Sequence, residues 1–461
     1  MNRPILSFPN QWHWYSIIAL FFALSFFQSC TKDAASNASG EPLIQTPREA
    51  YFSALDSNGL ANTQMAKAWQ EAGISSLSDS VLVDAPFQET GYFRAEEPAA
   101  HVYRMQLLEG ELLQMGLTTM PDSILFFLDL FRIEATDSTT HYRHLFNAEN
   151  YQTDSLSYEV TEAGIYLLRI QPELLATCRY TLQLIVQPVY GMFPVSGKGN
   201  RDIWSFWGDP RDGGRRSHQG IDIFARRGTP VVAAMDGVVR SVRNRGLGGK
   251  QVWLSDPQRN QSLYYAHLDS QLVNEGQQVQ AGDTLGLVGN TGNARNTRPH
   301  LHFGIYRRGR GAIDPHPFVA FQSNDLPTVT ADTSRLGQFG RVSRYNTTLQ
   351  AAPHPRSEIL ASLDRYLPLE IVAASKFWYR VRTAAGQSGY LPVGRVDRTD
   401  NSIRTIKPSM LVELLNEPKP DAVPIGKVAA EEALAVVGQN GEFQLVRDEN
   451  GMLGWLPTSV H

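Results

Sequence analysis

Cysteine is nearly absent from this chain, and neither net charge nor a long apolar run is prominent. Only Cys30 and Cys178 occur among 461 residues, too few for the disulfide framework that stabilises small secreted domains. The net charge of −4 predicts no strong attraction to nucleic acid. The apolar run from Trp14 to Phe27 is shorter than the about 20 residues that a membrane-spanning helix needs. A disulfide scaffold and a nucleic-acid-binding protein are therefore not expected.

The remaining composition is that of a large folded protein. Apolar residues make up 42% and charged residues 19%, values typical of globular chains. The length is too great for one core and predicts three or four domains. The 37 glycines and 26 prolines are distributed as turn signals, which favours β structure. We therefore expect a mainly β, multidomain chain.

The N-terminus reads as a targeting segment. The run from Trp14 to Phe27 suits the apolar core of a secretory signal peptide over residues 1–29. It ends at FFQSC, which resembles a bacterial lipoprotein signal and implies cleavage and lipidation at Cys30, although Gln28 departs from the usual pattern. An ordinary signal peptide or an uncleaved anchor are the alternatives. The lipoprotein interpretation implies secretion across the inner membrane, a lipid anchor, a location that is periplasmic or attached to the outer membrane, and an unpaired, buried Cys178.

Residues 31–79 are expected to form a polar linker and a short helical hairpin. Thr46 and Glu49 have the spacing of a capping box, which predicts the start of the first helix. A second helical stretch covers about residues 60–72, and Gly73 is expected to end it. No catalytic pattern occurs in this segment.

Residues 80–189 alternate apolar and polar side chains between turn signals, which predicts a β-sandwich. Its role is expected to be packing or binding. His141 and His144 could be a metal pair at i, i+3, but exposed loop histidines are the favoured interpretation.

Two similar segments occupy the C-terminus, over residues 338–398 and 402–461. Each ends with an aromatic residue, Val-Arg, a turn and then G-[YW]-L-P, so they form an internal repeat. Each resembles a bacterial SH3-like small barrel, which implies binding of cell-wall peptides. A purely structural spacer is the alternative.

Residues 190–322 are richer in glycine and arginine. From 190 to 321 there are 17 Lys and Arg against 10 Asp and Glu. A basic surface favours an anionic polymer, and an ordinary solvated face is the equal alternative.

Five side chains in this segment are candidates for chemistry. His218 and Asp222 lie four apart in SHQGIDIF, His267 lies in YYAHL, and His300 and His302 flank one leucine in PHLHF. The neighbouring residues favour strands, in which side chains two and four apart share a face. His218 and Asp222 should therefore face one way, as should the two histidines of PHLHF, with Leu301 directed into the core.

Imidazole and carboxylate are ligands that Zn²⁺ accepts, and a catalytic zinc takes three protein ligands and keeps a position for water. Five groups exceed that number by two. The two remaining histidines could therefore transfer the proton or stabilise the oxyanion.

The segment resembles the lysostaphin-type, or LytM-like, zinc endopeptidases in the order and spacing of all its motifs. The resemblance covers about 130 residues, roughly 190–321, and reads FWGDPRDGGRRSHQGIDIF, then LYYAHL, then RPHLHFGIY, then IDPHPF. It implies an antiparallel β-sheet with a narrow groove. It also implies that His218, Asp222 and His302 bind one zinc ion per chain and that His267 and His300 are catalytic. Gly220 matches the family glycine between the first two ligands.

The resemblance implies hydrolysis of peptide bonds in peptidoglycan cross-links or stem peptides by a monomer, with a D,D-endopeptidase favoured. The alternatives are a non-catalytic wall-binding or amidase-activating lipoprotein, and a peptidase that acts on a secreted protein. The number of appended domains also suggests that one of them covers the groove. The bond that is cut, the membrane face and the ligands of the repeats do not follow from the sequence.

Overall fold

The described part of the chain consists mainly of β-strands, as the composition predicted. The structure is a computed structural model that describes residues 45–135, 140–149 and 156–459. The predicted signal segment and Cys30 lie outside these residues. No helix within them is long and apolar enough to cross a bilayer.

Two short helices, α1 (Pro47–Ser57) and α2 (Gln64–Ser75), come first. The predicted capping box is present. The Thr46 hydroxyl accepts from the Glu49 amide at 3.2 Å, and the Glu49 carboxylate accepts from the Thr46 amide at 2.8 Å. Both orphan donors at the start of α1 are thereby satisfied.

The prediction that Gly73 ends the second helix is wrong, because α2 continues through it to Ser75. Glycine lowers helix stability by only about 1 kcal/mol, which packing can offset. A Cβ at Gly73 would lie 2.1 Å from Nη2 of Arg48 and 2.6 Å from Oε1 of Gln171. The glycine therefore permits a close approach between the helices and the sheet beneath them.

Nine strands follow in the region predicted to be a β-sandwich. They are β1 (Val81–Leu82), β2 (Phe87–Phe93), β3 (His101–Leu107), β4 (Glu111–Met120), β5 (Phe126–Ala135), β6 (Thr140–Glu149), β7 (Leu156–Glu159), β8 (Gly164–Pro172) and β9 (Cys178–Pro188).

These strands form two sheets around a common core. One has the order β1-β3-β8-β5-β6, and the other contains β2-β9-β4-β7. Their alternating buried side chains, such as Tyr103, Leu168 and Leu182, belong to one apolar cluster. Cys178 is free and buried, and burial raises the pKa of its thiol to about 12.

His141 and His144 lie on strand β6, so their assignment to a loop is wrong. THYRHLF pairs along β5, with His144 opposite Phe131. Nε2 of His144 lies 3.0 Å from Oδ1 of Asp129, whose other oxygen pairs with Arg169 at 2.7 Å. Among the described residues, the group that could hold a metal does not include either histidine.

Thirteen short strands follow. They are β10 (Ile203–Ser205), β11 (Pro210–Arg211), β12 (Arg216–Ser217), β13 (Ile221–Phe224), β14 (Pro230–Val232), β15 (Gly237–Asn244), β16 (Lys250–Asp256), β17 (Gln261–Ala266), β18 (Ser270–Gln271), β19 (Gln278–Val279), β20 (Thr284–Leu287), β21 (His300–Arg307) and β22 (Gly311–Ile313).

The main sheet of this region has the order β10-β13-β21-β17-β16-β15-β19, with β22 paired to β21. Every pair in it is antiparallel, as the family resemblance implied. One face packs on a fully buried core that includes Ile221, Leu263, Leu301 and Phe303. The other face is therefore left for the candidate site. Helix α3 (His316–Val319) ends the region.

The last thirteen strands belong to the two repeats. They are β23 (Phe339–Val342), β24 (Thr347–Gln350), β25 (Ile359–Leu363), β26 (Pro368–Ser375), β27 (Trp378–Thr383), β28 (Ser388–Pro392), β29 (Val396–Arg398), β30 (Arg404–Ile406), β31 (Val412–Leu415), β32 (Pro424–Val428), β33 (Leu434–Asn440), β34 (Phe443–Arg447) and β35 (Leu453–Pro457).

The repeat in the sequence is also a repeat in the strand pattern. Strands β26-β27-β28 form one antiparallel run and β33-β34-β35 form the corresponding run. The matching G-[YW]-L-P sequences occupy the last strand of each run. The predicted domain boundaries stay predictions.

The first repeat is joined to the sandwich by a shared sheet. Strand β2 pairs with β26, with Thr90 opposite Ala374, so one sheet of 11 strands crosses both regions. At this junction the buried carboxylate of Glu89 accepts from the hydroxyls of Tyr103 at 2.7 Å and Tyr390 at 2.6 Å. Arg380, also buried, lies 3.6 Å from it.

Candidate metal centre

Three of the five candidate side chains are positioned by two neighbouring strands. Strands β13 and β21 are antiparallel, and their register places Asp222 opposite His302 and Phe224 opposite His300. Because side chains alternate along a strand, His300 and His302 share the face away from the core. Leu301 between them is fully buried in the core, as predicted.

His218 does not lie on the strand that carries Asp222, so the predicted four-residue strand spacing is wrong. Strand β12 ends at Ser217, and β13 begins only at Ile221. Backbone hydrogen bonds hold His218 instead: its amide donates to the carbonyl of Asp209 at 2.8 Å, and its carbonyl accepts from Gly208 at 2.9 Å. The side chain still reaches Asp222, with Nε2 of His218 3.0 Å from Oδ1 of Asp222.

His267 follows directly after β17, whose last residue, Ala266, pairs with His302. Its φ of 62° lies in the left-handed region, which is uncommon for residues other than glycine and occurs often at functional sites. Its ring centroid lies 5.1 Å from that of His300 and 5.8 Å from that of His302. The structure therefore brings all five predicted residues to one place.

The ligand atoms of three residues form a nearly equilateral triangle. Nε2 of His218, Nδ1 of His302 and Oδ1 of Asp222 lie 3.0 Å apart in each pair. A tetrahedral zinc ion with bonds of about 2.0–2.1 Å separates its ligands by about 3.3 Å. Donor type and spacing thus fit one such ion. Nε2 of His300 lies farther away, 4.0 Å from Oδ1 of Asp222.

Backbone carbonyls set the tautomers of three histidines. Nδ1 of His218 lies 2.8 Å from the carbonyl of Phe206. Nδ1 of His267 lies 2.9 Å from the carbonyl of Thr291, and Nδ1 of His300 lies 2.8 Å from that of Arg298. A carbonyl can only accept, so each Nδ1 carries the proton and each Nε2 presents a lone pair. Such hydrogen bonds to the remote nitrogen are typical of histidines at metal sites.

The surroundings favour the neutral forms of His267 and His302 and the ionised form of Asp222. Burial, followed by the proximity of His302 and His300, lowers the pKa of His267 to about 4. Burial also lowers the pKa of His302 against the opposing effect of Asp222. Burial disfavours the Asp222 carboxylate, but the adjacent rings of His218 and His302 outweigh it and hold its pKa well below the usual range. Neutral imidazoles and a carboxylate are the forms that bind a metal.

The cluster opens into a cavity of about 780 Å³. Every residue that lines it lies between Ser205 and Tyr306. Within the described part of the chain, neither the sandwich nor the repeats contribute to its walls. The suggestion that an appended domain covers the groove therefore finds no support in these residues.

Sequence reasoning missed two sets of groups in this cavity. Nη2 of Arg211 donates to Oδ2 of Asp222 at 2.9 Å. The aromatic rings of Trp253, Tyr264 and Tyr306 line the cavity beyond His302. The period-two alternation of β16, β17 and β21 could have placed the aromatic side chains on this face. No local pattern could have placed Arg211.

A buried triangle of two imidazoles and a carboxylate, with two further histidines beside it on an antiparallel sheet, defines a site of the mononuclear metallohydrolase type. Residues 216–315 match the model of Peptidase family M23. This segment is an M23 peptidase domain, and M23 is a family of metallopeptidases.

Curated relatives share this segment. An L-Ala–D-Glu endopeptidase of Bacillus subtilis is 37% identical over 138 residues, which are 28% of this chain and 42% of the relative. The peptidoglycan DD-endopeptidase ShyA of Vibrio cholerae is 42% identical over 122 residues, 26% of each protein. The chain thus spans less than half the length of these relatives.

Among solved structures, the catalytic domain of lysostaphin from Staphylococcus simulans is 34% identical. The match covers 25% of this chain and 88% of that domain, with a TM-score of 0.23.

Proposed function

We propose that this chain is a zinc-dependent endopeptidase that hydrolyses peptide bonds in peptidoglycan cross-links or stem peptides. The observation that carries the proposal is the triangle of His218, Asp222 and His302, with the Nε2 lone pairs of His267 and His300 beside it. The names of the M23 relatives, DD-endopeptidases among them, support cross-linked peptidoglycan as the substrate. A D,D-endopeptidase is the favoured activity.

In this proposal the five residues do different work. A zinc ion bound by His218, Asp222 and His302 would polarise the substrate carbonyl and lower the pKa of its bound water. Nε2 of His267 or His300 can accept a proton from the attacking water and return it to the leaving amine, because both rings present an unprotonated Nε2. The hydrogen bonds from their Nδ1 atoms hold the rings in that orientation.

A non-catalytic wall-binding lipoprotein explains the site less well. Such a protein has no need of three ligand atoms 3.0 Å apart or of two further histidines anchored to backbone carbonyls. The repeats remain candidates for binding wall peptides, a role that is compatible with catalysis by the central domain.

The location proposed for the enzyme rests on the first 30 residues alone. We infer a secreted lipoprotein, lipidated at Cys30 and anchored in the membrane, with peptidoglycan as its partner and a monomeric state. Metabolic labelling with a clickable fatty acid should label the wild-type protein but not Cys30→Ser. Equal labelling of both proteins would contradict the anchor.

The activity is tested with cross-linked muropeptides and mass spectrometry of the products. Purified protein should contain about one zinc ion per chain and should cleave the cross-link, and a chelator should abolish cleavage until zinc is restored. His302→Ala should be inactive, whereas His354→Ala, which changes an exposed histidine of the first repeat, should match the wild type. Zinc-free protein with full activity would overturn the proposal.

A further inference from the structure

A second cavity adjoins the metal centre on the same sheet. It has a volume of about 950 Å³ and is lined by arginines and by strands β15, β16, β17 and β21. Trp253 and Tyr306 line both cavities. The two cavities are therefore parts of one groove rather than separate depressions.

The sheet register shows that the groove follows one face of the sheet. Tyr264 lies opposite Gly304 of β21, Trp253 lies opposite Tyr264, and Ser241 of β15 lies opposite Trp253. The same face therefore carries His302 at one end and β15, with Arg243, at the other. Three strand spacings separate β21 from β15, about 14 Å, which an extended peptide crosses with about four residues.

A row of tilted and edge-to-face aromatic rings connects the two ends of this face. The ring of Tyr264 lies 5.8 Å from that of His302 and 4.4 Å from that of Trp253. Trp253 lies 5.1 Å from Tyr306. These centroid distances are those of packed aromatic pairs. A continuous series of packed rings therefore leads from the metal ligands to the second cavity.

The second cavity carries more positive charge than its neighbouring carboxylates balance. Arg240, Arg243 and Arg308 line it, and none of the three side chains forms an ion pair with another described residue. The carboxylate in its lining is that of Asp256, which is fully buried. Asp256 accepts from the hydroxyl of Tyr190 at 2.7 Å and is already paired with Arg259. Arg307, which also lines the cavity, is already held by Glu109 and Gln261. An anion entering this cavity would thus meet the other three guanidinium groups, which form no ion pair within the described part of the chain.

We propose that this second cavity is a subsite for a carboxylate of the peptide substrate, about four residues from the bond that is cut. The inference rests on the proposed function for the position of that bond. Guanidinium groups bind carboxylates through paired, charge-assisted hydrogen bonds. The enzyme should therefore prefer peptides with free carboxylates to neutral, glycine-rich or amidated ones.

A binding experiment tests this inference independently of catalysis. A fluorescent stem peptide with free carboxylates, and the same peptide with its carboxylates amidated, are titrated into the zinc-loaded His300→Ala protein, which should not consume them. Arg243→Gln combined with Arg308→Gln should raise the Kd of the carboxylate peptide by about tenfold, the loss expected for a charge-assisted contact. The Kd of the amidated peptide should not change. Replacement of the same two arginines by lysine should restore part of the affinity.

The matched control is Arg226→Gln, an exposed arginine of the same region that lines neither cavity; it should bind both peptides as the parent does. Equal affinity for the two peptides in the parent, or an equal loss for both in the double variant, would overturn the subsite. Zinc content and the thermal transition of each variant show whether it is folded.

Cleavage assays keep the two proposals distinguishable. With His300 intact, the double arginine variant should raise KM for the carboxylate substrate and leave kcat unchanged. If the wild type cleaves no muropeptide yet retains charge-selective binding, the proposed function fails and the subsite stands. If it cleaves carboxylate and amidated substrates equally, with or without the arginines, the subsite fails and the function stands.

Discussion

Arg211 holds the oxygen of Asp222 that does not face the two histidines. Its Nη2 lies 2.9 Å from Oδ2 of Asp222, while Oδ1 lies 3.0 Å from the ligand nitrogens of His218 and His302. The guanidinium therefore occupies the second oxygen and leaves one oxygen for the metal. A partner of this kind fixes the orientation of a ligand without touching the ion.

Arg211→Ala should weaken zinc binding by about 10- to 100-fold, the usual cost of losing such a partner. The measurement is competition with a zinc chelator of known affinity. Arg216→Ala is the control, because this arginine lines the same cavity but pairs with Asp212. Unchanged zinc affinity in Arg211→Ala would show that the contact has no positioning role.

Alanine substitutions of the two histidines of PHLHF should have different effects on zinc binding and turnover. His302→Ala removes a corner of the ligand triangle and should lose zinc. In His300→Ala the triangle stays intact, so zinc should be retained while turnover falls by at least about 100-fold, the contribution typical of a positioned acid or base. Metal analysis and initial rates measured on the same samples distinguish these results. Loss of zinc in His300→Ala would contradict the division of roles.

Gly220→Ala should displace the ring of His302, because the added methyl group has no room beside it. A Cβ at this position would lie 2.5 Å from the carbonyl oxygen of Phe303 and 2.7 Å from the ring of His302. Backbone and ligand must then shift, so we expect about 1–3 kcal/mol of destabilisation together with weaker zinc binding. Denaturant unfolding and chelator competition measure the two effects.

Gly191→Ala is the matched control for this substitution, since no atom lies within 4 Å of a Cβ there. Its unfolding and zinc affinity should equal those of the wild type. An equally stable, fully metallated Gly220→Ala protein would show that the site can relax around the added methyl group.

The shared face of His300 and His302 could be predicted because it is local, whereas their approach to His218, Asp222 and His267 joins segments that are distant in the sequence. Period-two alternation places His300 and His302 on one face, and the family resemblance identified His218, Asp222 and His267. Arg211 could not be predicted. Its position depends on a tight turn, with Gly213 and Gly214 at φ 70° and 87°, which folds β11 onto β12 and so returns the arginine to Asp222.

Contacts between segments that are distant in the sequence were harder to predict. Alternation predicted the strands of the sandwich, and the matching G-[YW]-L-P endings predicted the repeat at the C-terminus. It could not predict that β2 pairs with β26, because strands of similar pattern can pair in many ways and the sequence separation is large. The same limit hid the polar cluster around Glu89, whose members come from both regions.

Glu89→Ala should therefore destabilise the sandwich and the first repeat together. The carboxylate is fully buried, and its loss would leave Arg380, 1% exposed, without a counter-charge. Removing one partner of a buried pair costs about 3–5 kcal/mol. Tyr390→Phe removes one hydrogen bond to the same carboxylate and should cost less, about 1–3 kcal/mol. Denaturant unfolding of the full chain measures both changes.

The double variant Glu89→Leu with Arg380→Met tests whether charge or packing joins the two regions. An apolar pair of similar volume often matches or exceeds a buried ion pair in stability, and Nε and Nη1 of Arg380 have no hydrogen-bond partner. We expect the double variant to recover most of the stability lost in Glu89→Ala. If it remains as unstable as Glu89→Ala, the hydrogen bonds from Tyr103 and Tyr390 to the carboxylate, rather than the unpaired charge, hold this junction together.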